Sequence, residues 1–145
     1  MHIREVCVTY GRRRHVPGGA TNVTNAREVV ALIGPMLERQ VVEVCYMLLL
    51  NTRNGLIGYH QLSRGSLTAT PVHPREVYQV ALLAGAAGIV LVHNHPSGDP
   101  TPSAEDVALT RRMTDAGHLL GVELLDHVII GHGGQYASIR EAGRL

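Results

Sequence analysis

The chain has 145 residues, enough for one domain with a real core, and 45% of them are hydrophobic, which excludes intrinsic disorder. Thirteen arginines, no lysine and 12 acids leave a formal net charge of +1, so no global field draws the protein to nucleic acid. No apolar run approaches a membrane span and no signal-peptide pattern is present, so a cytoplasmic protein that does not engage membrane is expected.

In chain order, Ile3 to Tyr10 alternates apolar and polar residues and reads as a half-buried strand. Gly11 to Ala20, with Arg12-Arg13-Arg14 and Pro17-Gly18-Gly19, reads as a loop, and the arginine triplet as a solvated patch. Thr24 or Asn25 caps a helix through about Ile33, which Gly34-Pro35 interrupts before a further turn ends near Gln40. Val42 to Leu50 reads as a strand, Asn51 to Gly55 carries hairpin-turn chemistry, and a second strand runs from Leu56 to about Leu62. A short extended piece around Leu67 to Thr70 precedes a helix from Pro74 to about Ala87. Gly88 to Val92 is apolar and branched, as a buried strand ending at His93 would be. Pro96 to Pro102 must be a loop, Ser103 to Leu120 a helix, Glu123 to Ile130 a strand and Tyr136 to Ile139 a last short one. Helices packed on a mixed sheet make this an α/β domain. With neither Trp nor Phe its core is aliphatic, and Cys7 and Cys45, each in an apolar run, read as buried free thiols.

The chemistry concentrates between residues 91 and 106. Side chains two apart on a strand share a face, so His93 and His95 can converge on one point. The helix after the loop delivers Asp106 from its first turn. Two imidazoles and one carboxylate, with a fourth position open, is the ligand count of a catalytic zinc site. Ser103-Ala104-Glu105-Asp106 also reads as a plain helix start with Ser103 as N-cap, and that alone would explain both residues. Asp99 and Glu105 read as solvated acids, Asp126-His127 as supporting the site or the strand, and His132 as surface.

His93-x-His95-x7-Ser103-x2-Asp106 resembles the signature of JAMM/MPN metalloproteases, H-x-H-x7-S-x2-D. His93-Asn94-His95-Pro96-Ser97-Gly98, with Pro102-Ser103, Asp126-His127-Val128-Ile129-Ile130-Gly131, Pro74-Arg75-Glu76, Gly65-Ser66-Leu67 and Tyr136-Ala137-Ser138, is similar to the RadC-like branch. The resemblance runs from Glu43 to the C-terminus. It implies a JAMM/MPN-like α/β domain, a curved mixed sheet flanked by helices; together with the residue pattern this makes 1–145 a single domain, a motif-bearing core in 41–145 preceded by a strand and helix in 1–40. It also implies one zinc ion per chain on His93, His95 and Asp106, Glu43 as general base and acid, and Ser103 as oxyanion donor. Tyr46 stands where many such enzymes have a small residue. Members of this branch often carry a helix-hairpin-helix module ahead of the domain. The residues before Glu43 read instead as a strand and a helix, so nucleic-acid binding is expected to be weak or absent.

The leading expectation is a zinc-dependent hydrolase cleaving a peptide or isopeptide-like amide bond in a peptide or protein substrate. A metal-dependent nuclease or DNA-repair-associated protein, and a non-catalytic, metal-stabilised binding module, are the alternatives. The sequence names neither the substrate nor the oligomeric state.

Overall fold

The computed structural model describes residues 3–4, 7, 9–12, 22–65 and 72–145. Eight elements follow one another: α1 (Ala26–Leu37), β1 (Val44–Leu50), β2 (Leu56–Arg64), α2 (Pro74–Leu83), β3 (Gly88–Asn94), α3 (Ala104–Leu120), β4 (Glu123–Ile130) and β5 (Tyr136–Ser138). The strands form one mixed sheet in the order β2-β1-β3-β4-β5. All neighbours are antiparallel except β3 and β4, which are parallel and joined by the crossover helix α3.

The central strands are buried on both faces, and their alternation assigns each side chain to a layer. Val44, Tyr46, Leu48 and Leu50 of β1 and Val90 and Val92 of β3 pack in one core with Val29, Leu32, Ile33 and Leu37 of α1. Met47, Leu49, Ile89 and Leu91 point the other way, into a second core with Val77, Tyr78 and Ala81 of α2 and Leu109 and Met113 of α3. His93 continues the series of Ile89 and Leu91. It therefore leaves the sheet on the side where α3 begins.

Helix α1 runs unbroken through Pro35, with Asn25 as its N-cap, instead of stopping near Ile33. The proline removes one N–H near the C-terminal end, and the exposed Ala31, whose carbonyl loses that partner, can turn to water. Gly34 still accepts from the Glu38 N–H at 2.8 Å. Strand β1 starts at Val44, so Glu43 lies just before the strand and not within it. Helix α2 ends at Leu83, short of Ala87, because the Ala86 and Ala87 amides turn back to Ala81 and Leu50 to start β3. Strand β2 runs on to Arg64, β3 reaches Asn94, and β5 closes at Ser138, a residue before Ile139.

Of the expected first strand, Ile3, Arg4, Cys7, Thr9 and Tyr10 are described and lie in no regular element. The rest of that strand, Arg13 to Ala20 of the loop and the piece at Leu67–Thr70 lie outside the described residues. Cys45 is buried as expected, but Cys7 is exposed. No described helix is long and apolar enough to cross a membrane.

Candidate metal centre

Three parts of the chain meet at the end of the sheet: the residue ahead of β1, the end of β3 and the first turn of α3. His93 ends the inward series of β3, while His95 lies one residue past it with its N–H on the Ile130 carbonyl at 2.9 Å. That bond keeps the chain extended, so His95 shares the face of His93. The loop then folds back, with Gly98 at φ 88° and its carbonyl accepting from the His132 N–H at 3.0 Å. A side chain on Gly98 would strike the His132 ring, so this close approach needs glycine.

Ser103 caps α3, and its capping box is reciprocal. The Ser103 hydroxyl accepts from the Asp106 N–H at 3.1 Å, and Asp106 Oδ2 accepts from the Ser103 N–H at 2.8 Å. The turn is thus a helix start as its pattern reads, and the same geometry leaves the Asp106 carboxylate beside His93 and His95. Capping aims the Asp106 carboxylate inward, where it is 1% exposed.

The Nε2 atoms of His93 and His95 are 3.1 Å apart, and they lie 3.2 Å from Asp106 Oδ1 and Oδ2 respectively. Ligands on one tetrahedral ion with bonds of about 2.0–2.2 Å stand roughly 3.3 Å apart, and the two imidazoles, each facing its own oxygen of the Asp106 carboxylate, come together at that spacing. Glu43 Oε1 stands farther off, 3.7 Å from His93 Nε2. Glu43, His93, His95 and Asp106 together form a group able to hold a metal ion.

Hydrogen bonds behind the group decide which lone pairs face it. Thr110 donates its one hydroxyl proton to the Asp106 carbonyl at 2.7 Å, one turn back on α3. Toward His127 Nδ1, also at 2.7 Å, it can then only accept, so His127 carries its proton on Nδ1. Burial, reinforced by His93, pushes the His127 ring down to about 3, so it is neutral and its Nε2 is an acceptor. His93 Nδ1, 2.8 Å away, must donate to it, which leaves the His93 Nε2 lone pair pointing at the group. His95 Nδ1 lies 2.8 Å from the Asp99 carbonyl and donates there, which aims its Nε2 lone pair at the same point.

Two imidazole lone pairs and a carboxylate therefore converge with no proton of their own between them. Such an arrangement repels unless a cation sits inside it. With no cation there, a proton taken up on either Nε2 bridges to the carboxylate instead: burial alone would raise the Asp106 carboxyl, but hydrogen bonds from protonated His93 and His95 outweigh that and hold it well below the usual carboxylate range. The same bond, made when His95 carries a proton on Nε2 in place of an ion, raises His95.

Sequence reasoning missed two residues here. Thr110 carries no signal beyond lying one helical turn after Asp106. Asn94 is masked by the more conspicuous histidines on either side of it. Cys45, register partner of His93, is not among the convergent groups, and burial, then Glu43 and Asp106, push its thiol up to about 12. Asp99 is exposed and turned to Thr101, Glu105 is exposed, and His132 lies at the surface over Gly98.

The RadC-like JAB domain family matches residues 23–144. A UPF0758 protein of Symbiobacterium thermophilum is 43% identical over 134 residues, covering 92% of this chain and 57% of the relative. One of Methanosarcina acetivorans is 44% identical over 121 residues, covering 83% and 52%, and one of Moorella thermoacetica 45% over 125, covering 86% and 54%. The chain thus spans little more than half the length of these relatives.

Proposed function

From the premise that the chain belongs to the RadC-like JAB domain family, we propose that it hydrolyses amide bonds of a peptide or isopeptide substrate with one zinc ion held by His93, His95 and Asp106. The observation that carries this reading is the convergence of the His93 and His95 Nε2 atoms, 3.1 Å apart, on the Asp106 carboxylate, one oxygen 3.2 Å from each, with a further carboxylate alongside. Two nitrogens and one carboxylate oxygen suit zinc, and three protein ligands leave a position for water, as catalytic zinc sites do.

When bound, zinc supplies Lewis acidity and lowers the pKa of its water from 15.7 towards about 7. Glu43 would take that proton and pass it to the leaving amine. It stands beyond the His93-His95-Asp106 face but within a water's reach of it, and it remains partly accessible to solvent. Ser103 accepts the Asp106 N–H through an oxygen lone pair, so its own proton stays free for the oxyanion that forms on the substrate carbonyl. His127 and Thr110 hold His93 in the tautomer that presents Nε2.

The test pairs zinc content with hydrolysis of a peptide library, with and without chelator, on wild type and Glu43→Gln. Chelator-sensitive peptide cleavage is expected, and Glu43→Gln should keep its zinc while losing about 10²–10⁴-fold in rate. Unchanged turnover removes Glu43 from the mechanism, and lost zinc makes it a ligand. Chelator-sensitive cleavage of DNA in place of peptide overturns the substrate class.

A further inference from the structure

Asn94 stands between the two histidines on β3, and its side chain leaves the sheet on the face opposite to His93. It is 4% exposed, and its amide is fully engaged. Its oxygen accepts from the Val44 N–H at 2.7 Å, and its nitrogen donates to the Val42 carbonyl at 3.0 Å and to that of Gln40 at 3.5 Å. A backbone donor and a backbone acceptor fix which end of the amide is which. The two closer partners belong to the residues on either side of Glu43.

The register explains why a side chain is used. β1 and β3 pair in antiparallel fashion as far as Cys45 and His93, so the next rungs would join Val44 to Asn94 and Glu43 to His95. The ladder stops short of them. From there the backbone of β3 stays with β4, pairing Asn94 with Ile130, while the chain ahead of β1 is held through the Asn94 amide. The Glu43 carbonyl is tied from the other side, by the Gly65 N–H at 2.7 Å. Glu43 thus belongs to no strand, yet its backbone is held at three consecutive residues.

We infer that Asn94 is a positioning residue for Glu43: the middle residue of the His-Asn-His triplet clamps the backbone that carries the proton shuttle, while its neighbours bind the metal on the other face. This rests on the reading of Glu43 as shuttle. It makes the triplet one device that fixes the distance between the ligands on β3 and a glutamate 50 residues earlier in the chain.

The experiment uses cobalt(II) in place of zinc in wild type, Asn94→Leu, Glu43→Gln and the double variant. Leucine has the same number of side-chain heavy atoms and the same branch point as asparagine, carries no charge and makes neither bond. Two quantities are read: cobalt affinity by competition with a chelator, and the pH midpoint of the visible cobalt band, which reports ionisation of the metal's water. Asn94→Leu should keep its affinity, losing less than the roughly tenfold that removal of a ligand's own partner costs. Its pH midpoint should move to that of Glu43→Gln, and the double variant should show no further change, because the two substitutions disable one element.

A wild-type midpoint in Asn94→Leu, against a moved one in Glu43→Gln, overturns the inference. A tenfold or greater loss of cobalt that persists in the Glu43→Gln background overturns it too, since Asn94 would then act on the histidines. A Glu43→Gln midpoint equal to wild type instead removes the shuttle reading beneath it. Should Asn94→Leu fail to fold, hydrogen exchange in the wild type decides. The Val44 amide must be protected like the neighbouring amides of β1, and free exchange there refutes the clamp.

Discussion

At the scale of single residues, the centre depends on where a few protons sit. Thr110 has one hydroxyl proton and spends it on the Asp106 carbonyl, so every later bond, through His127 to His93, has its direction set. Thr110→Val keeps the shape and removes the acceptor. The buried His127 Nδ1–H is then unpaired, at a cost of about 1–3 kcal/mol, and can be relieved by moving its proton to Nε2. That tautomer would face His93 Nδ1–H with a second donor and disturb the ligand. Zinc affinity should fall about 10–100-fold, measured by competition with a chromogenic chelator, while Thr114→Val, one turn further along α3, should leave it unchanged. The grouping of His93, His95 and Asp106 is legible in the sequence because spacing on a strand and at a helix start dictates direction. Thr110 and Asn94 were not, since their roles depend on which backbone and ring atoms come to face them. Glu43 was reached only through resemblance: what brings it to His93 is the pairing of β1 with β3, which no local pattern encodes.

At the scale of elements, the helix that delivers Asp106 is anchored by its far end. The Tyr78 hydroxyl of α2 donates to the Met113 carbonyl of α3 at 2.6 Å, and Gly117 of α3 passes directly over it. A Cβ at Gly117 would lie 2.6 Å from the Tyr78 oxygen and strike the Val122 carbonyl. Alanine at Gly117 gains about 1 kcal/mol in helix propensity. The clash lies against backbone and a buried ring, so overpacking of about 1–3 kcal/mol outweighs that gain. Urea unfolding should show Gly117→Ala less stable than wild type, and a stabilised variant would contradict the contact. Burial also pushes the Tyr78 phenol up to about 12 from its ordinary 10.0. A group whose folded pKa is raised gives its full contribution below its unfolded value and loses it as pH climbs through the folded one. An alkaline loss of stability between pH 10 and about 12 is therefore expected, and Tyr78→Phe should lack that portion of it. Most elements could be read from periodicity and punctuation; the misreadings lie at element ends and in the expected first strand, whose described residues form no regular element. Gly34-Pro35 is a sound stop signal in isolation. It is overridden because Pro35 and Ala31 face solvent while Leu32, Ile33 and Leu37 pack on the sheet.

At the scale of the whole molecule, the centre joins segments that the topology otherwise links only through the sheet. His93 and His95 come from the end of β3, Asp106 comes from α3, and Glu43 from the chain ahead of β1. In the unfolded chain nothing turns His93, His95 and Asp106 toward one point, and the two imidazoles have no fixed tautomer, so an ion bound there is held chiefly by the folded state. Ion binding must then act as folding stability. At a free zinc concentration 100 times Kd, linkage adds about 2.7 kcal/mol. For a domain of this size that corresponds to a rise in Tm of about 5–10 °C. Calorimetry across a zinc titration, with chelator as the baseline, should show Tm climbing with the logarithm of free zinc. His93→Ala and Asp106→Asn should abolish the dependence, because each opens the triangle of ligand atoms. Glu43→Gln should preserve it, because the amide leaves His93, His95 and Asp106 in place. A Tm that ignores zinc in the wild type would mean that the three convergent ligands hold no ion. A dependence that survives His93→Ala would place the ion elsewhere. Between these outcomes, the thermal behaviour of the whole domain reads the same geometry that the hydrogen bonds set at residues 93, 95 and 106, without any need to know the substrate.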